Sequence, residues 1–235
     1  MPDNDVSVVL VHGAWADGSS WSKVIDLLGA RGIKSVAAPL PLTSLTDDVA
    51  ALDRTLERIN GPVVLAGHAY AGAVIASTRS EKVRSLVYVT ALAPDEGETV
   101  ADVFYRAEPH PKAPRLAPDR HGLIWLPDDA FAAAFAPHAS AQEQALLAAV
   151  QRPIAMPCIG TKVERPLWLD RPSWFLMAEA DRMIIAETQR FMAERMKARI
   201  RAHPVDHTPS VTAPGVVVDV ILDALRDMDS ARPVR

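Results

Sequence analysis

The chain has 235 residues, 49 % of them apolar and 23 % charged, with a net charge of −4 at neutral pH. That length fills one well-packed core and is short for two, so a single domain spanning residues 1–235 with an inserted segment is expected. The charges form no run of one sign, which excludes a nucleic-acid footprint or a patch for an anionic membrane and leaves a neutral or weakly charged small molecule as the expected partner.

Residues 1–5 are polar and acidic and run straight into a strand-like segment, which leaves no room for the basic and apolar regions of a secretory leader. Residues 6–11 are a short β-branched run stopped by His12-Gly13, the pattern of a buried strand. Ser19 or Ser20 is a candidate N-cap for a helix through Trp21, Val24, Ile25, Leu27 and Leu28 that ends by Gly32. Residues 33–37 return to strand. Thr46 opens a helix whose first turn carries Asp47 and Asp48, acids suited to the positive end of a helix dipole, and which runs to Asn60-Gly61. Residues 63–66 are a strand, Gly67 to Gly72 a turn, 73–78 a helix of small residues able to lie close to a sheet, and 84–90 a further strand.

Past Pro94 the alternation stops for about 80 residues, long for a connection inside a compact domain. Residues 95–170 are rich in proline and alanine, carry helical patches at 128–136 and 141–150, and read as a mostly helical cap. Cys158, the only cysteine, lies there; without a second thiol no intramolecular disulfide forms, which fits a reducing cytoplasm. A strand at 173–178, an amphipathic helix at 187–198, a strand at 200–205 and a helix at 214–225 close the chain. This alternation implies an α/β fold with a mainly parallel sheet flanked by helices. No apolar run reaches the roughly 20 residues of a membrane span, so a soluble protein is expected. Oligomeric state leaves no signal in the sequence.

Gly67-His68-Ala69-Tyr70-Ala71-Gly72 stands where a strand gives way to a helix, the setting of a nucleophile elbow. Such a turn lifts one side chain above the sheet edge, and its neighbours must be small because the strained backbone packs against the next helix. Here the raised side chain is the methyl of Ala69. Asp181 follows one strand and His207 the next, so both belong at the carboxyl edge of a parallel sheet, where open α/β folds bind ligands. Glu179 and Asp206 are neighbouring acids that compete with Asp181, while His110, His121, His138 and His203 read as surface polar residues.

In the order Val8-Val9-Leu10-Val11-His12-Gly13-Ala14-Trp15, the elbow, Ala178-Glu179-Ala180-Asp181-Arg182-Met183-Ile184 and Asp206-His207, the chain resembles the α/β-hydrolase superfamily. Within it, it is similar to the small-cap branch of esterases, methylesterases and hydroxynitrile lyases with their bacterial relatives. Family members carry serine where this chain has Ala69 and commonly glycine where it has Ala71. The resemblance implies that Asp181 orients His207, an imidazole suited to general-base work at neutral pH. It also implies that the backbone N–H groups of Ala14 and Tyr70 form an oxyanion hole, which survives side-chain changes. Trp15, His68 and Trp125 are candidate substrate contacts, with Phe104, Tyr105, Phe131 and Trp168 as further apolar candidates beneath the cap. The scattered His and Asp residues lack metal-ligand spacing, so neither a metal nor an organic cofactor is expected.

Loss of the nucleophile from a hydrolytic triad costs on the order of a millionfold in turnover, while roughly 10³ to 10⁴ over water remains. That excludes a competent serine esterase. The sequence instead points to an enzyme acting on a small ester, lactone or related acyl compound, with His207 and Asp181 as general base on water or on the substrate. The alternatives are a carboxylesterase inactivated by serine-to-alanine replacement at residue 69, a cofactor-free lyase, and a non-catalytic receptor. Ser19, Ser20 and Thr90 are substitute nucleophiles only in principle, because none stands at the elbow.

Overall fold

The computed structural model describes residues 6–230; the polar segment 1–5 lies outside them. Strands β1 (Ser7–Val11), β2 (Ser35–Ala38), β3 (Val63–His68), β4 (Val83–Val89), β7 (Ser173–Ala178) and β8 (Arg199–His203) form one sheet in the order β2-β1-β3-β4-β7-β8. Every pairing in it is parallel. The pair β5 (Leu123–Ile124) and β6 (Ile154–Ala155) stands apart and is antiparallel.

Alternation along the strands feeds two cores. Val8, Leu10, Val64, Ala66, Val87, Val89, Trp174 and Leu176 face helices α1 (Ser22–Gly29) and α10 (Pro214–Ser230). Val9, Val11, Leu65, Tyr88, Phe175 and Met177 face the opposite way, in the core that includes residues of α2 (Leu45–Glu57), α3 (Ala71–Ser77) and α8 (Ala186–Arg195). Burying each large aliphatic side chain contributes about 1.5–3 kcal/mol, and coverage on both faces explains the apolar runs that mark the central strands, while β2 and β8 at the sheet edges are largely unburied.

Helix starts differ from the sequence expectation. Asp17, not Ser19 or Ser20, caps the first helical segment, a tight turn at Gly18–Trp21 that leads into α1; its side chain accepts from the Ser19 N–H. Ser44 caps α2, two residues before Thr46, and Asp48 turns inward and is fully buried instead of solvated.

The segment from Asp95 to Asp170 is less helical than its composition predicts. It holds α4 (Val100–Phe104), α5 (Asp128–Ala130), α6 (Ala141–Val150), α7 (Met156–Gly160) and the β5/β6 pair, joined by loops. Residues 128–136 are not one α-helix: after α5 a wider π-type turn spans Phe131–Phe135, with the Ala136 N–H donating to the Phe131 carbonyl. Pro109, Pro111, Pro114 and Pro118 remove N–H donors and force extended backbone before them. Among the described residues no helix is long and apolar enough to cross a membrane.

β2 and β3 lie on opposite sides of β1, so the connections after β1 and β3 diverge and leave a crevice at their carboxyl ends. α3 is pressed hard against this end. A methyl on Gly72 would sit 2.2 Å from the Leu92 carbonyl oxygen, whereas one on Gly29, exposed at the end of α1, would meet nothing within 4 Å. Gly72→Ala should therefore destabilise by about 2–3 kcal/mol through overpacking, while Gly29→Ala should stabilise by about 0.5–1 kcal/mol. Urea midpoints of the two variants measure both, and an unaffected Gly72→Ala protein would contradict the close contact.

Candidate active site

β3 runs on to His68 and ends in a turn at Ala69, whose φ of 50° lies in the left-handed region. For a residue with a Cβ this costs about 1–2 kcal/mol, and the turn is held by two hydrogen bonds to the Ala69 carbonyl, from Gly72 N–H at 3.1 Å and Leu92 N–H at 2.9 Å. The loop after β1 touches it. A methyl on Gly13 would lie 2.9 Å from the His68 carbonyl oxygen and 3.0 Å from the Ala69 Cβ, so Ala14 and Tyr70 line the same cavity. Among the described residues, neither the Ala14 nor the Tyr70 backbone N–H donates to another group.

Asp181 and His207 meet at the carboxyl ends of β7 and β8. His207 Nδ1 lies 2.9 Å from Asp181 Oδ2, and both residues are buried. With Nδ1 turned to the carboxylate, Nε2 is left without a partner among the described residues, on a ring that lines the cavity. The carboxylate is fixed from several sides: Oδ1 accepts from the N–H groups of Met183 at 2.7 Å and Ile184 at 2.9 Å, and Oδ2 also accepts from Gln189 Nε2 at 2.9 Å. Gln189 was not anticipated. A polar residue on the inward face of an amphipathic helix was the only signal of it, and its amide also bonds the Ile184 and Ala178 carbonyls.

Of the competing acids, Glu179 is exposed. Asp206 is buried but spent, accepting from Thr208 N–H, Thr212 Oγ1 and the His138 N–H of the inserted segment. The substitute nucleophiles are spent too. Ser19 and Ser20 hydroxyls donate to Asp17, and the Thr90 hydroxyl donates to the His207 carbonyl at 3.1 Å.

The cavity above Ala69 has a volume of about 60 Å³ and almost wholly apolar walls, including Trp15, Val100, Phe104, Ile154 and Ile159. That exceeds the roughly 10–15 Å³ a single water needs. It adjoins a wider groove of about 560 Å³ through Phe104, Tyr105, Leu116 and Met183. Trp15 thus stands in the wall, its indole N–H held by the Ile124 carbonyl at 3.0 Å. Trp125 does not: it is 48 % exposed and its indole N–H donates to the Asp119 carboxylate. His68 is also no wall residue. It is buried behind the site, and its Nε2 bonds the His207 carbonyl at 2.7 Å. Phe131 and Trp168 pack in the core, Trp168 donating to the Pro94 carbonyl. Among the described residues no group of three or more His, Cys, Asp or Glu is placed to hold a metal.

Residues 8–220 match the model of the Alpha/beta hydrolase family. Similar solved structures include a pyrethroid hydrolase from Sphingobium faniae JZ-2, with a TM-score of 0.82 and 21 % identity over 96 % of this chain and 99 % of that one. Polyneuridine aldehyde esterase superposes with a TM-score of 0.76 and 19 % identity over 92 % of this chain and 98 % of the other. A methylesterase from Arabidopsis does so with 0.76 and 16 % identity over 94 % and 99 %. At such identities the likeness is one of fold. No curated protein matches the chain in sequence.

Burial, and secondarily the nearby His207, push the pKa of His68 down to about 3. The folded state therefore holds His68 neutral where the unfolded chain protonates it. This contribution to stability is complete above about pH 6.5 and is lost as pH falls from there towards about 3. The thermal midpoint should drop across that window, and His68→Gln, which keeps a donor but does not titrate, should flatten the drop. An equally steep profile in the variant would show that His68 is not the group responsible.

Proposed function

We propose, for a chain that belongs to the Alpha/beta hydrolase family, that it is a cofactor-independent enzyme hydrolysing a small ester, lactone or related acyl compound without a covalent intermediate. In this reading residues 1–235 form one domain and the segment from about 95 to 170 serves as its cap. Nε2 of His207 takes a proton from a water held above Ala69 while the water oxygen attacks the acyl carbon. The N–H groups of Ala14 and Tyr70 receive the oxyanion, Asp181 steadies the imidazolium, and the proton passes to the departing alkoxide as the acyl–oxygen bond breaks. Trp15 forms part of the wall against which the substrate lies.

The observation that carries this reading is the joint survival of base, acid and two unspent N–H donors around a cavity floored by a methyl group. The names of the similar structures, two esterases and a pyrethroid hydrolase, support acyl chemistry. The apolar walls favour an uncharged substrate. One observation favours a second reading, the carboxylesterase disabled at residue 69: the backbone there keeps the left-handed turn that a serine nucleophile needs, strain that holding a water does not require.

Initial rates on 4-nitrophenyl acetate and butyrate separate the two. If His207 activates water, Ala69→Ser fills that space and activity stays flat or falls. A rise of several orders of magnitude would instead mark a disabled serine esterase. His207→Ala should lower the wild-type rate by about 10²- to 10⁴-fold, and a rate that survives this change would refute general-base catalysis.

A further inference from the structure

Behind the elbow, on the side away from His207, lies a polar cluster that the reaction above does not use. Asp48 of α2 is fully buried. Its Oδ2 accepts from the Tyr70 hydroxyl at 2.7 Å and from the Cys158 thiol at 3.6 Å, and its Oδ1 accepts from the Leu42 N–H at 2.7 Å. Leu42 is itself left-handed, with a φ of 60°, and its carbonyl accepts from the Ala155 N–H at 3.0 Å. One carboxylate therefore grips three stretches of chain: the residue after the elbow, the loop after β2, and residues 155–158 of the inserted segment. The neighbours of that last stretch, Ile154 and Ile159, are cavity walls.

A charge buried this deeply is costly unless paired or well hydrogen-bonded. Burial raises the Asp48 pKa even against three hydrogen bonds, and the same surroundings push the Cys158 thiol up to about 12. An apolar residue would fill the site at lower cost, so placement of the groups around it is what the carboxylate supplies.

The geometry points to Asp48 as a positioning residue that sets the Tyr70 N–H in the oxyanion hole through the Tyr70 hydroxyl and, through Cys158 and Leu42, seats the Ile154 and Ile159 wall of the same cavity. The inference rests on the oxyanion role given above to the Tyr70 N–H. Tyr70 is clamped at both ends, by its backbone in the turn and by its hydroxyl on Asp48, so the direction of its N–H is fixed before any substrate arrives. Fixed donors avoid reorganisation during the reaction, and misplacement of a reacting geometry by about 1 Å can cost about 10² in rate.

Three variants read the two arms separately with 4-nitrophenyl butyrate. Tyr70→Phe keeps the backbone N–H and ring but frees the hydroxyl end, and should lower kcat about tenfold or more with KM nearly unchanged. Cys158→Ala loosens the wall and should raise KM with little change in kcat. Asp48→Ala should do both, and Asp48→Asn, which still accepts one hydrogen bond, should recover part of the loss. Lowered melting temperatures with unchanged kcat and KM would reduce Asp48 to a structural role and overturn the inference.

A second measurement is independent of turnover: binding of butyrate, whose carboxylate seeks the two N–H donors, against neutral 1-butanol, by NMR titration. Tyr70→Phe and Asp48→Ala should weaken butyrate about fivefold or more while leaving butanol alone. Equal weakening of both ligands would overturn the inference, as would a wild-type protein that binds butyrate no better than butanol. If the wild type turns over no ester, the hydrolase reading fails, and the butyrate-to-butanol ratio still decides the role of Asp48.

Discussion

Everything at this site is referenced to one main-chain turn. The left-handed backbone at Ala69 brings Ala69 and Tyr70 to the cavity wall and sends the chain into α3, where Gly72 packs so closely that a methyl would meet the Leu92 carbonyl oxygen. A peptide stretch does not hold such a turn unaided, since the αL region is disfavoured for alanine. Two hydrogen bonds converging on the Ala69 carbonyl offset that cost, and one of them comes from Leu92, three residues past β4. The turn is thus a tertiary structure in miniature, set by the adjacency of β3 and β4 in the sheet.

Around this turn polar groups divide into those that are spent and those that are kept. The His207 carbonyl is saturated by His68 and Thr90, Asp206 by its own loop and by His138, and the Asp181 carboxylate by two backbone N–H groups and Gln189. Among the described residues that line the cavity, His207 Nε2 and the N–H groups of Ala14 and Tyr70 have no partner. In an apolar enclosure each of these is worth more than in water, because the low local dielectric strengthens whatever partner it finds. The His138 contact also ties the 95–170 segment to the loop that carries His207, a hydrogen bond added to the apolar packing between them.

Sequence pattern captured the centre of the sheet because β1, β3, β4 and β7 are buried on both faces. Residues 173–178 are apolar but for Ser173 and read as a strand, and that is the full extent of β7. It placed Asp181 and His207 at one edge because strand ends in a parallel sheet share it, while their pairing was legible only through the family resemblance. It missed what depends on partners far along the chain. Asp48 sits where a helix first turn usually places a solvated acid, and only Tyr70, 22 residues away, and Cys158, 110 residues away, explain why it is buried. His68 reads as a polar group near a pocket, yet the loop that delivers His207 closes over it. Trp125 reads as an aromatic for lining a cavity, yet it is exposed and its indole N–H donates to Asp119. The inserted segment was overestimated as helix because alanine content speaks for helix while the prolines, spaced through loops, decide against it.

The intact elbow has a consequence at the level of the gene. Every alanine codon becomes a serine codon by a single change at its first position, so a protein that holds Ala69 in this turn stands one base substitution from serine there. Nothing in the backbone has to move for that step, because the left-handed conformation, the unspent N–H donors and the oriented imidazole are already in place. An alanine and a serine form of this turn are thus mutational neighbours, and the residue at position 69 alone separates them.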